Sequence, residues 1–180
     1  MKTLIAILFF VLFFSGIQEQ EKEVVPSDLE WELYDIINKY RKQRKLPEIP
    51  FSKSLTQVAQ EHCKDLSENI GSLTHGWSDC PYDTKKRSTY SCMWEQPKNR
   101  TSYPGFGYEN AYMHSEKALP KDAFESWKKS PPHHAVMINS GAWKDRKWNA
   151  IGVGIHGQFA CIWFGEEIDP AGSFERKEQY

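Results

Sequence analysis

The chain has 180 residues, a formal net charge of −1 and 39% hydrophobic residues, with Lys and Arg interspersed among Asp and Glu. That balance leaves no electrostatic footprint for nucleic acid, and the length suits one domain with its own core better than two. Lys85-Lys86-Arg87 is a short basic cluster and reads as a solvated loop.

At the N-terminus, Lys2 precedes an unbroken apolar run from Leu4 to Phe14, followed by Ser15 and Gly16. This pattern predicts a secretory signal peptide over residues 1–18, too short in its apolar part to span a bilayer. A domain is expected over 26–168 and a tail over 169–180. Four cysteines in a secreted chain suggest two disulfides with three connectivities open. Cys80 and Cys92 lie in a segment rich in turn formers, and their pairing is favoured, a loop closure worth about 3 kcal/mol. Cys63 and Cys161 fall on apolar faces, as a second bridge or as two buried thiols.

Pro26-Ser27-Asp28-Leu29-Glu30 reads as a capping box, and Leu29, Leu33, Ile36, Ile37 and Tyr40 then form one apolar stripe of a helix running to about Lys45. A second helix, opened by Ser54 with Gln57 and ending near Gly71, carries Leu55, Val58, Ala59, His62, Cys63, Leu66 and Ile70. His62 rides on that stripe and reads as a satisfied core histidine. From Gly71 to Gly107 the pattern is that of a long ordered loop, a kind of segment that is usually functional. Its aromatics, Trp77, Trp94, Tyr103 and Phe106, suit either a surface for an apolar ligand or core packing.

Tyr108 to Tyr112 reads as a short strand. Pro120 opens a third helix with Ala123, Phe124 and Trp127 on one face, and Pro131-Pro132 stops it. Ile151, Val153 and Ile155 alternate with Gly152, Gly154 and His156, and Gly157-Gln158 then turns the chain into FACIWFG. This is a hairpin whose second strand is apolar on both faces, as expected where helices cover a sheet from each side. The glycines admit a close neighbour.

His75, Glu109, His133 and His134 are the chemistry candidates. Neutral imidazoles and a carboxylate suit borderline divalent metals such as zinc, with an open position left for water. Separations of 34 and 24 residues match no local metal motif, so spacing alone does not define a site.

The order of the segments carries more. The chain resembles the CAP superfamily of cysteine-rich secretory, antigen 5 and pathogenesis-related 1 proteins from about Leu29 to Gly165. The resemblance lies in the Leu55-xx-Val58-Ala59-xxx-Cys63 stripe, Thr74-His75, Tyr108-Glu109-Asn110 where the family has Gly-Glu-Asn, and Trp127 to His133. That last segment is similar to the Trp-xx-Ser-Pro-Gly-His of bacterial-type members, and Ile151-Gly152-Val153-Gly154 with Ile162-Trp163-Phe164-Gly165 completes the series.

The resemblance implies an α+β fold, a three-layer α-β-α sandwich with a small antiparallel sheet and a central cleft. It implies a cation site at His75, Glu109 and His133, with Ser130 standing where many eukaryotic members have a second glutamate. A hydroxyl there removes a charge and should weaken metal binding. His134 is an uncertain neighbour, Glu125 ranks lower, Asn110 orients loop backbone, and Trp127 packs its helix on the sheet. The expected function is a secreted, non-enzymatic binding module for a divalent cation and a sterol, lipid or other small ligand, or an extracellular protein. The alternative is a metal-assisted hydrolase, protease or esterase-like, with Glu109 as general base and His133 beside it. A Ser130–His133 pair is no evidence of alignment on sequence proximity alone.

Overall fold

A computed structural model describes residues 24–176; the signal-peptide reading of residues 1–18 lies outside them. Ser27 and Glu30 form the expected capping box, and helix α1 spans Asp28–Gln43. Helix α2, Lys53–Asp65, is capped by Ser52 and not by the expected Ser54. The reason is tertiary: Asp169 takes the Ser54 hydroxyl and amide at 2.8 Å each, which leaves Ser52 to accept from Leu55 N. A π-helical turn, Leu66–Ile70, extends α2 to Gly71.

The segment expected to be a loop holds two short helices, α3 (Ser91–Trp94) and α4 (Gln96–Arg100), as well as the Cys80–Cys92 disulfide. Elements of four and five residues are too short to show helical periodicity, which is why sequence patterning passes over them. Strand β1 (Gly107–Met113) follows, then α5 (Pro120–Lys129) and α6 (Pro131–Met137). Pro131 and Pro132 therefore both end α5 and open α6. Proline suits a first helical turn because its missing N–H has no partner there. His133 and His134 thus sit on a helix and not in a loop.

Strands β2 (Ala150–His156) and β3 (Phe159–Gly165) form the expected hairpin, with Gly157 at φ 56° in its turn. The sheet is antiparallel in the order β1-β3-β2, with Glu109 opposite Trp163 and Trp163 opposite Gly152. All seven residues of β3 are buried, because alternate side chains serve two separate cores. Phe159, Cys161 and Trp163 face Leu55, Val58 and Ala59 of α2. Ala160, Ile162 and Phe164 face Leu33 and Ile37 of α1 and Phe124 and Trp127 of α5. The fold is accordingly α+β, a sheet between helical layers. On the α2 face, a Cβ on Gly152 or Gly154 would strike the backbone of Leu55 or Ala59, so glycine is what lets the helix lie this close. No helix among the described residues is long and apolar enough to cross a membrane.

Candidate functional site

Strand alternation puts Glu109 on the α2 face of the edge strand β1, where it is only 6% exposed. A carboxylate so placed requires donors. His62, projecting from α2, supplies one: its Nδ1 lies 2.5 Å from Glu109 Oε1. His75 supplies the other, with Nδ1 2.8 Å from Oε2. An ionised carboxylate only accepts, so both Nδ1 atoms donate. The His75 imidazole is 26% exposed and keeps its Nε2 turned from the carboxylate. The His62 Nε2 donates to the Gly76 carbonyl at 3.0 Å, and Trp77 stacks on the ring with centroids 4.6 Å apart.

Burial by itself would raise the Glu109 pKa, but the charge and hydrogen bond of His62, with those of His75, hold it down at about 2. Burial by itself would lower the His62 pKa, and the Glu109 charge and hydrogen bond outweigh that and raise it. The two form a buried charged pair, the arrangement in which loss of one partner is most costly.

His133 reaches the same neighbourhood from α6. Its pKa is lowered by burial first and by the nearby His75 second, with Glu109 pulling the other way, so the three groups share one electrostatic environment. Its Nδ1 lies 2.8 Å from Ser130 Oγ, an alignment that sequence proximity alone did not establish. Asn110 points to the opposite face of β1 and donates to the His133 carbonyl at 3.0 Å, fixing the start of α6 to the strand. Trp127 Nε1 donates to the Ala111 carbonyl and ties α5 to the same strand.

Other candidates turn elsewhere. His134 Nε2 pairs with the Tyr40 hydroxyl at 2.9 Å, on the α1 side, where burial, Arg44 and Lys128 depress its pKa. Glu125 pairs with Lys128 at the surface. Cys63 and Cys161 are buried free thiols, which resolves the alternative left open by their sequence positions. Trp77 and Tyr103 are core residues, whereas Trp94 and Phe106 line a cavity of about 350 Å³ with Tyr108 and Trp143.

The residue that sequence reasoning underestimated is His62. It is the satisfied core histidine it was expected to be, but its partner is the carboxylate of the site. The available signal was its place on the α2 stripe combined with Glu109 falling on the Trp163 face of the sheet.

Comparison with known proteins agrees with this architecture. The family model described as CAP, cysteine-rich secretory protein family, matches residues 34–158. No curated protein matches the chain. Among solved structures, an extracellular protein containing a SCP domain from Bacillus anthracis str. Ames is similar with a TM-score of 0.59 and 19% identity over 77% of this chain and 40% of that one. A cysteine-rich secretory protein from Staphylococcus aureus subsp. aureus Mu50 gives 0.50 and 19% over 77% of this chain and 39% of that one. An outer surface protein from Borrelia burgdorferi gives 0.56 and 18%, over 79% of this chain and 96% of that one. The chain thus spans about two fifths of the first two proteins and nearly all of the third. With the family model covering most of the domain and the same fold in each of these structures, the chain belongs to the cysteine-rich secretory protein, or CAP, family.

Proposed function

We propose that this chain is a secreted, non-enzymatic binding module whose open site, formed by His75, Glu109 and His133, takes a divalent cation such as zinc. The observation that carries this reading is the matched state of the two imidazoles. Each has its Nδ1 engaged, His75 with Glu109 and His133 with Ser130, and each leaves Nε2 for a ligand. A metal-binding histidine characteristically donates its other ring N–H to an oxygen acceptor, most often a carboxylate, a backbone carbonyl or water, which fixes its ring and tautomer; the Ser130 hydroxyl can play that part for His133. In this reading Glu109 serves the site through His75, and Ser130 serves it through His133. A bound cation would supply Lewis acidity and hold a small anionic or neutral ligand at the open position.

The hydrolase reading is less well supported by the same geometry. Both Glu109 oxygens already accept from imidazoles, and a carboxylate held at about 2 is a weak base for water near neutrality. The small-ligand side of the proposal rests on the cavity lined by Trp94, Phe106, Tyr108 and Trp143 together with Arg87 and Arg146, whose aromatic walls suit the apolar body of a sterol or lipid and whose arginines suit a polar head. Secretion is supported by the apolar run Leu4 to Phe14 and by the extracellular description of the Bacillus anthracis relative. An extracellular protein partner fits the same setting.

The test is zinc titration calorimetry on the purified protein and on His75→Ala and His133→Ala. Either substitution is expected to weaken binding by more than about 10- to 100-fold, the range seen when only a group supporting a metal ligand is removed. Unchanged affinity in both variants would remove the assignment.

A further inference from the structure

Lys85-Lys86-Arg87, which sequence alone assigns to solvent, sits on a loop that is braced from inside. The Cys80–Cys92 disulfide closes its base, and the Tyr82 and Tyr90 rings stack across it with centroids 5.1 Å apart. Nearer the tip, Asp83 N donates to Thr89 Oγ1 at 2.9 Å, Lys86 N to the Asp83 carbonyl at 2.9 Å, and the Tyr90 hydroxyl to the Thr84 carbonyl at 2.7 Å. All three basic residues are exposed. The tip is therefore presented in one geometry, and a partner that meets it has little loop entropy to quench.

The same loop borders the aromatic cavity. Arg87 shares its lining with Trp94, Phe106, Trp143 and Arg146. Phe106 is 41% exposed, and Lys98 Nζ lies 4.2 Å from the centroid of its ring. Two of these cations are matched, Lys86 by Asp83 at 3.9 Å and Arg146 by Glu166. Lys85, Arg87 and Lys98 form no ion pair among the described residues, so the rim carries a positive surplus. A positive rim around an aromatic mouth complements a surface that is anionic outside and apolar just beneath. A soluble polyanion would satisfy the charges and offer nothing to Phe106.

We propose that this face, the disulfide-closed basic loop together with Phe106, docks the protein on an anionic lipid bilayer. Acidic headgroups meet Lys85, Lys86, Arg87 and Lys98, and the Phe106 ring enters the interfacial layer between headgroups and acyl chains. Both contributions are needed, because a single weak signal gives only marginal, reversible membrane binding. Docking sets the mouth of the cavity against the bilayer. The inference goes beyond the reading given for the cavity and stands whether or not a lipid enters it.

The test is flotation of the purified protein with vesicles of phosphatidylcholine alone and of phosphatidylcholine mixed with phosphatidylglycerol. The protein should float with the mixed vesicles far more than with the neutral ones, and be released in about 1 M salt, where the screening length shrinks to about 3 Å. Lys85→Ala/Lys86→Ala/Arg87→Ala should weaken binding to mixed vesicles about 100-fold, at roughly fivefold for each basic side chain near such a surface. Phe106→Ser should weaken it about 10-fold through the apolar area withdrawn. The same Phe106→Ser protein should bind dextran sulfate, a soluble polyanion, as wild type does, which also shows that its loop is intact. No flotation with the mixed vesicles would overturn the proposal, as would equal flotation with the neutral ones or a triple variant that floats like wild type. Flotation that Phe106→Ser leaves unchanged would overturn it too, and would assign the basic loop to a soluble polyanion. Wild type and variants share one N-terminus, so their difference reads this face and not the apolar run Leu4 to Phe14. Sterol binding measured in the absence of vesicles reads the cavity alone, so either assignment can fail without the other.

Discussion

The two faces of the sheet are built by opposite means. Toward α1, α5 and α6 the contact is broad and aromatic, with Trp127, Trp148, Phe164 and Tyr40 filling the space between the layers. Toward α2 the helix lies directly on glycine backbone, and the residues between the layers include His62, Glu109, Cys63 and Cys161. Both ends of α2 are pegged by carboxylates. Asp169 receives Ser52 Oγ, Ser54 N and Ser54 Oγ at one end, and Asp65 receives Ser78 N, Ser78 Oγ and Asn69 Nδ2 at the other. One face is held by volume, the other by close approach and by charge. A polar site can be positioned accurately on the second because its backbone has little room to shift, while the first absorbs the bulk of the apolar burial.

The sharpest break of this contrast is Trp127→Ala, which empties a large space on the aromatic face and removes the indole bond to Ala111. It should cost about 3–5 kcal/mol in urea unfolding. A loss below 1 kcal/mol would mean that the face does not depend on volume. Gly152→Ala probes the other face with a single methyl. The added carbon would meet the Leu55 backbone and should destabilise by about 3 kcal/mol, an outcome that no apolar methyl would produce across a loosely packed layer. A neutral or stabilising result would show that α2 can retreat.

Asp169→Ala should cost about 2 kcal/mol, since it removes both a charge and the acceptor groups at the α2 N-terminus. Hydrogen exchange should locate the loss in α2 and spare α5; uniform acceleration in both helices would contradict the division into two faces. Asp65→Asn is expected to have the smallest effect, about 1 kcal/mol at neutral pH. Its signature is in acid. Burial would raise the Asp65 pKa, but hydrogen bonds from Ser78 and Asn69 outweigh it and hold the folded value below the ordinary 3.8. Its contribution is therefore complete above the unfolded value and is lost as pH falls from about 3.8 through the lower folded one. Stability of wild type should fall toward that of Asp65→Asn over this window, and parallel acid curves for the two proteins would refute the assignment.

Much of this architecture was legible in short windows of sequence. Ser27 and Glu30 announced α1, the stripe from Leu55 to Ile70 announced α2, and alternation around Gly152 and Gly154 with the Gly157-Gln158 turn announced the hairpin. FACIWFG, apolar on both faces, announced a central strand covered on each side. Ser52 and Ser54 offer similar local signals for the α2 cap, and Asp169, far along the chain, chooses between them. Pro131-Pro132 signals a stop in sequence but not the start of α6, because proline ends one helix by the same property that lets it begin another.

What the sequence determined by itself is therefore the longer elements α1, α2, α5 and the three strands, their buried faces and the segments that carry His75, Glu109 and His133. Those follow from periodicities of 3.6 and 2 residues and from capping, which act over a few positions at a time. Tertiary structure alone decided that Glu109 meets His62 across 47 residues, that His134 turns away to Tyr40, and that Cys63 and Cys161 stay unbonded. The first and last of these depend on how close α2 lies to the sheet, where its backbone meets Gly152 and Gly154, and the second on how α6 meets α1. Both are set by packing between elements, and no window of sequence contains both sides of either contact.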